Sequence, residues 1–268
     1  MSRRRTSKAE EAAAWLLRAH EQREAFRPLP PELAPASAEE AYLIQEDFVG
    51  LRAKKLGAAV GYKIALSSAA MRRHVGVDSP QAGVMLESTV RRSPARIRAA
   101  DYVGLIVEFE IAVQLADDLP AADAPFSRAH VAGAVGAVMP AIEIADDRGA
   151  DYSRLAQHPL ELIADNAWNE GAVLGRAAPG WRSLDLGKIR GVASINGAKV
   201  GEGVGAEAMG HPLDALVWIA DHLAARGYGL LRRDVVITGS LVTSKRVKAG
   251  DLVRFELEGL GGVELRIE

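Results

Sequence analysis

Apolar and polar positions recur along this chain with two different periods, and the change of period divides it. From about Ser7 to Phe26, alanine, leucine and glutamate dominate, and Leu16 and Leu17 join neighbouring alanines in one stripe, which predicts a helix. Pro28, Pro30, Pro31 and Pro35 break it. Ser37 followed by Glu40 is a capping-box pattern. It opens a second helix on which Leu43, Ile44, Phe48 and Leu51 recur at helical spacing, with Gly57 as its stop. From Ala58 the texture turns to short apolar runs separated by Gly, Pro and Asp. These predict strands over roughly 60–66, 103–115, 135–144, 172–174, 189–195, 235–238, 252–257 and 263–267.

One clear helix interrupts the strands. Pro212 suits its first turn, Leu213, Leu216, Val217, Ile219, Ala220 and Leu223 form a stripe, and Gly227 ends it. A shorter helix is predicted over 160–166. Asn196-Gly197 is a type I′ turn signal between two apolar runs, so a hairpin is expected there. Residues 201–205, Gly-Glu-Gly-Val-Gly, lack the strand and helix that frame a dinucleotide fingerprint, and read as a turn or a flexible segment. Strands do not alternate regularly with helices, which argues against a doubly wound parallel sheet. The expected fold class is α+β: a helical N-terminal segment, 1–57, followed by a mainly β domain, 58–268.

Composition narrows the function. The chain has 268 residues, 49% hydrophobic and 25% charged, as in ordinary globular proteins. A formal net charge of -2 and a pI near 6.3 offer no basic surface for nucleic acid. The Arg3-Arg4-Arg5 run is short and terminal and reads as a solvated tail. The absence of cysteine excludes a disulfide frame and a thiolate metal site, and fits a cytoplasmic location. No run of about 18 apolar residues predicts a membrane span. The basic N-terminus is followed by no apolar block, so no signal peptide is expected.

The chemistry concentrates at Val107-Glu108-Phe109-Glu110-Ile111. In an extended strand alternate side chains share a face, so Glu108 and Glu110 point one way and Val107, Phe109 and Ile111 the other. Such a pair commonly marks a solvated face. Here Leu105-Ile106 and Ala112-Val113 flank it, so the acid face is itself partly apolar. Two carboxylates in that setting repel each other and are costly to desolvate. A divalent cation relieves both problems. Glu143, in the apolar run Pro140-Ala141-Ile142-Glu143-Ile144, would complete an oxygen set suited to Mg²⁺ or Mn²⁺; alternatively it pairs with a nearby cation such as Arg148.

Further segments extend the pattern. Gly61-Tyr62-Lys63-Ile64-Ala65-Leu66-Ser67-Ser68, the two acid strands, Ala164-Asp165-Asn166-Ala167, Gly210-His211-Pro212, the run 234–241 and Gly250-Asp251 follow in order. From about Ser37 to the C-terminus this resembles the 2-oxopent-4-enoate hydratases and 4-oxalocrotonate decarboxylases of the fumarylacetoacetate hydrolase superfamily. The resemblance implies a mixed β-roll or sandwich with an N-terminal helical portion. It implies Mg²⁺ or Mn²⁺ held by residues matching Glu108, Glu110 and Glu143, a catalytic lysine matching Lys63, and small 2-oxo or 2-hydroxy-dienoic acid substrates. Lys63, in a strand near a dication, would then have a depressed pKa and move protons near neutral pH. Without the resemblance it reads as an ordinary strand lysine.

Asp165 and Asn166 are candidate substrate-binding residues, although the same types cap turns. Ser240 is a third, unless its hydroxyl satisfies a local carbonyl. His211 reads as structural, and His74, near the Lys63 segment, is the least favoured of the candidates, as a mobile proton carrier. Two departures from the family pattern stand out. Pro80-Gln81-Ala82-Gly83 replaces a stretch that carries an acid in many relatives, with Asp78 or Glu87 as substitutes. Trp168-Asn169-Glu170 stands where small polar residues are usual. The expected function is a metal-dependent hydratase of a 2-hydroxy-2,4-dienoate. The rivals are a 4-oxalocrotonate decarboxylase, with Arg72, Arg73 or Arg148 receiving the second carboxylate, an acylpyruvate hydrolase, and a non-catalytic homologue. The family tendency and the long apolar stripe after Pro212 suggest a homo-oligomer.

Overall fold

A computed structural model describes residues 7–268, and the Arg3-Arg4-Arg5 run lies outside them. In chain order the described elements are α1 (Ser7–Glu21), α2 (Ala38–Leu56), β1 (Ala59–Ala65), α3 (Ala69–Val75), β2 (Gln81–Leu86), β3 (Val90–Arg92), β4 (Ala95–Ile97), β5 (Leu105–Leu115), α4 (Arg128–Ala134), β6 (Val135–Asp146), α5 (Pro159–Ala164), β7 (Asn169–Leu174), β8 (Arg190–Ile195), β9 (Ala198–Val204), α6 (Pro212–Ala225), β10 (Val235–Arg246), β11 (Leu252–Leu257) and β12 (Gly261–Ile267). The strands form a seven-stranded sheet, β2-β1-β10-β5-β6-β7-β3, and a five-stranded sheet, β4-β12-β11-β8-β9. Both parallel and antiparallel pairs occur, giving the mixed α+β architecture expected.

Local chemistry accounts for the clearest boundaries. At the start of α2 the Ser37 hydroxyl accepts from the Glu40 N–H at 3.2 Å, and the Glu40 carboxylate reaches back to the Ala36 N–H at 2.6 Å. Gly57, at φ 88, closes that helix. Asn196 (φ 53) and Gly197 (φ 81) turn β8 into β9 with the two positive φ angles that a type I′ turn requires.

One apolar core joins helices to both sheets. Ile44 and Phe48 of α2, Val107, Phe109 and Ile111 of β5 and Phe255 of β11 are all fully buried in it, with the Phe109 and Phe255 rings 5.5 Å apart. Because β5 sends these three residues into the core, Glu108 and Glu110 face the opposite side of the sheet. The α6 stripe, Leu213, Leu216, Ile219, Ala220 and Leu223, is buried in the same core. That burial accounts for most of the stripe by packing within the chain, with Val217 only partly buried.

Tertiary contacts moved several boundaries. The first helix stops at Glu21 instead of reaching Phe26. Arg23 turns left-handed at φ 52, and the Phe26 N–H donates to the Arg148 carbonyl at 2.8 Å, drawing that ring onto Trp168. The strand expected to end at Thr238 runs to Arg246; its register on β5 shifts repeatedly between Ile237 and Lys245, and those irregularities interrupt the alternation. The short elements β2, β3, β4, α3 and α4 were not anticipated.

Residues 201–205 are mostly strand, not a flexible turn. A Cβ on Gly203 would lie 1.9 Å from the Leu241 carbonyl oxygen, and one on Gly201 2.3 Å from Val242 Cγ1. The glycines are there because β10 crosses at backbone distance. Gly203→Ala should therefore destabilise the protein by about 2 kcal/mol or more, read as a lower urea midpoint. An unchanged midpoint would mean that the crossing is looser than described.

Candidate active site

Three acids converge on the face of the large sheet away from the main core. Glu108 and Glu143 are direct cross-strand partners on β5 and β6, and Glu110 follows two residues along β5. One carboxylate oxygen from each lies within 4.8 Å of the others. Glu110 and Glu143 are fully buried and Glu108 is half-buried. The Gly239 N–H, from the irregular stretch of β10, donates to Glu110 Oε2 at 2.6 Å. Asn169 Nδ2 donates to Glu143 Oε1 at 2.9 Å, and Lys63 Nζ, from β1, lies 3.1 Å from the same oxygen. Glu110 Oε1 and Glu143 Oε2 are buried with no hydrogen-bond partner.

These observations fit a divalent cation. Three carboxylates against one ammonium leave two net negative charges when all are ionised. The donors are hard oxygens, and two oxygens lack partners that buried oxygens normally have. Electrostatics in the protein alone show the same tension. Burial, then repulsion from Glu143, pushes the Glu108 carboxyl up to about 7 despite the attraction of Lys63. Burial, with Glu143 and Glu108 beside it, raises Glu110 as well. For Lys63, burial favours the neutral amine, but the Glu143, Glu108 and Glu110 charges outweigh it and the pKa is raised. The depressed value expected for Lys63 presupposed a dication beside it; the three acids by themselves act in the opposite direction.

A cavity of about 290 Å³ opens over this cluster. Lys63, Glu108, Ser67 and Ser240 contribute its polar end, with Trp168 and Tyr152 among the other lining residues. Ser240 already donates to the Val242 carbonyl at 2.7 Å and accepts from the Phe109 N–H at 3.1 Å, bridging the irregular register of β10. Asp165 and Asn166 are turned elsewhere. Asp165 is buried, ion-paired to Arg148, with His20 Nε2 at 2.6 Å. Asn166 clamps Val84 by accepting from its N–H at 2.7 Å and donating to its carbonyl at 2.9 Å.

Other candidates also find their places. Arg148 pairs with Asp165, not with Glu143. His211 caps α6, its Nδ1 accepting from the Leu213 N–H. His74 and Asp78 are exposed. Glu170 pairs with Arg52 at 2.8 Å, and although burial opposes it, Arg52 and His20 pull its carboxyl down to about 2. Of Trp168, Asn169 and Glu170, only Trp168 lines the cavity. Asn169 and the Gly239 N–H were missed as orienting groups. Backbone donors carry no residue-type signal, and an Asn beside a Trp gives no hint of a carboxylate partner one strand away.

Known proteins share this arrangement of chain. The model of the fumarylacetoacetate (FAA) hydrolase C-terminal family matches residues 53–268. A 2-keto-4-pentenoate hydratase of Paraburkholderia phymatum is 33% identical over 257 residues, 96% of each chain. A 2-oxo-hept-4-ene-1,7-dioate hydratase of Escherichia coli is 27% identical, covering 92% of this chain and 93% of the relative. A solved 4-oxalocrotonate decarboxylase from Pseudomonas putida G7, complexed with magnesium and adipate, superposes with a TM-score of 0.89 at 25% identity, covering 99% of this chain and all of that one.

The raised Glu108 carboxyl has a consequence for stability in chelator. A carboxyl whose folded pKa lies near 7, against an ordinary 4.5, binds its proton more tightly when folded. Its stabilisation is complete below about 4.5 and is lost as the pH rises through 7. In EDTA, Glu108→Gln should therefore gain stability relative to the parent between pH 5 and pH 8, measured by urea unfolding. A constant difference across that range would disprove the strained carboxylate.

Proposed function

The chain belongs to the fumarylacetoacetate hydrolase family, and on that premise we propose that it is a divalent-cation-dependent hydro-lyase adding water to a 2-hydroxy-2,4-dienoate. The observation that carries this reading is the buried three-carboxylate cluster, with its two unpartnered oxygens, at the polar end of a cavity that also holds Lys63. Its relation to the pentenoate hydratase over nearly its whole length supports the reaction class.

Glu108, Glu110 and Glu143 would hold Mg²⁺ or Mn²⁺, which when bound supplies a Lewis acid for a substrate carboxylate and its neighbouring oxygen. The rest falls to the chain. In the net reaction the enol proton leaves the 2-oxygen and C5 gains one; water then places its hydroxyl on C4 and a proton on C3. Lys63 lines the cavity, and we assign its Nζ proton transfer to or from the substrate. Asn169 and the Gly239 N–H orient Glu143 and Glu110. Asp165 and Asn166 act as positioning residues that fix the turn carrying Trp168. Ser240 reaches substrate only by giving up its bond to Val242.

Decarboxylation of 4-oxalocrotonate is the alternative, favoured by the superposition with the solved decarboxylase. Against it, Arg72 and Arg148 are bonded to other groups and do not line the cavity.

The decisive experiment is product analysis by NMR with freshly generated 2-hydroxypenta-2,4-dienoate. Appearance of 4-hydroxy-2-oxopentanoate with Mg²⁺ or Mn²⁺, and its loss in chelator, is the expected result; no product, or product indifferent to chelator, would overturn the reading. Lys63→Ala should lower kcat by about 10²–10⁴-fold. Calorimetry with Mn²⁺ should show binding retained or tightened, because a positive charge beside Glu143 has been removed.

A further inference from the structure

Beyond the acid cluster the cavity has an apolar end. One step of two residues along β5, about 7 Å, leads from Glu108 to Ile106, whose cross-strand partners are Ala145 on β6 and Arg246 on β10. Ile106, Ala145, Leu155, Leu162 and Trp168 line this end and pack in one apolar cluster, with Tyr152 partly buried against it. Two polar atoms are set into that hydrocarbon.

The first is the Tyr152 hydroxyl. It is directed at Asp147, a fully buried carboxylate two residues past Ala145. Asp147 Oδ1 accepts from the Gly149 N–H at 2.9 Å, and Oδ2 accepts from Arg246 Nη2 at 2.6 Å. Burial, and then the Asp147 and Glu108 charges, raise the Tyr152 pKa. The hydroxyl therefore keeps its hydrogen at neutral pH and turns it to Asp147. A tyrosine oxygen has one hydrogen to give and lone pairs to receive another. With the hydrogen committed, what Tyr152 offers the cavity is an acceptor.

The second is Trp168 Nε1. An indole N–H is a donor only, and this one is buried with no hydrogen-bond partner among the described residues. Buried donors are normally paired. The ring that carries it is fixed. Trp168 is 5% exposed and follows a turn in which Asn166, Ala167 and Trp168 all take positive φ angles. Its ring meets Tyr152 and Phe26 edge-on, with centroids 6.0 and 5.7 Å away. Asn166 ties the turn to Val84, and Arg148 and His20 hold Asp165. An acceptor beside an unpaired donor is the complement of one water molecule.

We propose that Tyr152 and Trp168 hold the water that adds to C4, the Tyr152 oxygen accepting one of its hydrogens and Trp168 Nε1–H donating to its oxygen. The inference rests on the hydratase reading and names the residues that deliver the nucleophile in it. A water so held keeps one lone pair and one hydrogen free. The lone pair forms the C4–O bond as the C3–C4 π pair shifts to C3. Lys63 gives C3 a proton and is restored by the one that the water loses.

Isotope exchange into 4-hydroxy-2-oxopentanoate separates the water from the rest of the chemistry. With Mg²⁺ in ¹⁸O-enriched D₂O, deuterium at C3 reports proton transfer. The ¹⁸O shift of the C4 ¹³C resonance reports loss and return of water, each read above a protein-free control. The parent protein should catalyse both. Tyr152→Phe and Trp168→Phe keep an aromatic ring and remove the polar atom. Each should lower the ratio of C4 oxygen exchange to C3 deuteration by about 10-fold, the scale of one hydrogen bond. An unchanged ratio in either variant, whether or not both exchanges slow, overturns the proposal and leaves the hydratase reading intact. Absence of oxygen exchange in the parent overturns both. The ratio does not depend on the folded fraction, and a crystal structure of the parent needs no variant at all. It should show one ordered water within hydrogen-bond distance of both Tyr152 Oη and Trp168 Nε1; no water there, or Nε1 bonded to a protein group, would disprove the assignment.

Discussion

Mutual repulsion among three carboxylates on adjacent strands is the constraint on which the rest of this site depends. Glu108 and Glu143 face each other across the β5–β6 ladder, with Glu110 a pleat away. Burial makes each charge more costly and each neighbour more repulsive. The surroundings soften this without removing it. A backbone N–H meets Glu110, an amide meets Glu143 and one ammonium lies beside Glu143, yet an oxygen of each buried acid still has no partner. A sheet that only needed to be stable would place apolar residues here, as the other face of β5 does with Val107, Phe109 and Ile111. The arrangement makes physical sense as a set of ligands held ready.

Holding them ready requires irregular backbone elsewhere. Between Ile237 and Val242 the register of β10 on β5 shifts, and there Gly239, at φ 112, turns its N–H to Glu110. A Cβ at that position would lie 2.3 Å from Ser67 Oγ, so the strand comes close to the cavity wall and the donor is aimed by the same irregularity. Ser240 uses its hydroxyl to bridge the two strands at this point.

A second buried polar network does comparable work behind the apolar end. Arg148, Asp165, His20, Glu170 and Arg52 form a chain of ion pairs running from the turn before Trp168 to α1 and α2. Burial opposes the charge on His20, but Asp165 and Glu170 together hold its pKa up. Ion pairs this deep are weak sources of net stability and strong sources of positional definition, because removing one partner leaves a buried charge unmatched. Their position ties the cavity wall to the N-terminal helices, so α1 and α2 support the site without lining it.

The sequence by itself determined which way the acids face. Period-two alternation in 107–111 sets Glu108 and Glu110 opposite Val107, Phe109 and Ile111, and the structure has them so. Local signals of the same kind marked the Ser37 cap, the Asn196-Gly197 turn and α6. What depends on residues distant in the chain was decided only by tertiary structure. Phe26 left its expected helix for Trp168, residues 201–204 lie in a strand that β10 crosses, and Arg148, weighed only as an alternative partner for Glu143, went to Asp165. Asp165 and Asn166 were drawn into packing, and Trp168, first noted as a departure from the family pattern, became a wall of the cavity. Alternation and capping are satisfied within a few residues, so they can be read from the chain. Partner choice for a buried charge or ring depends on which surfaces the fold brings together, and no local pattern carries that information.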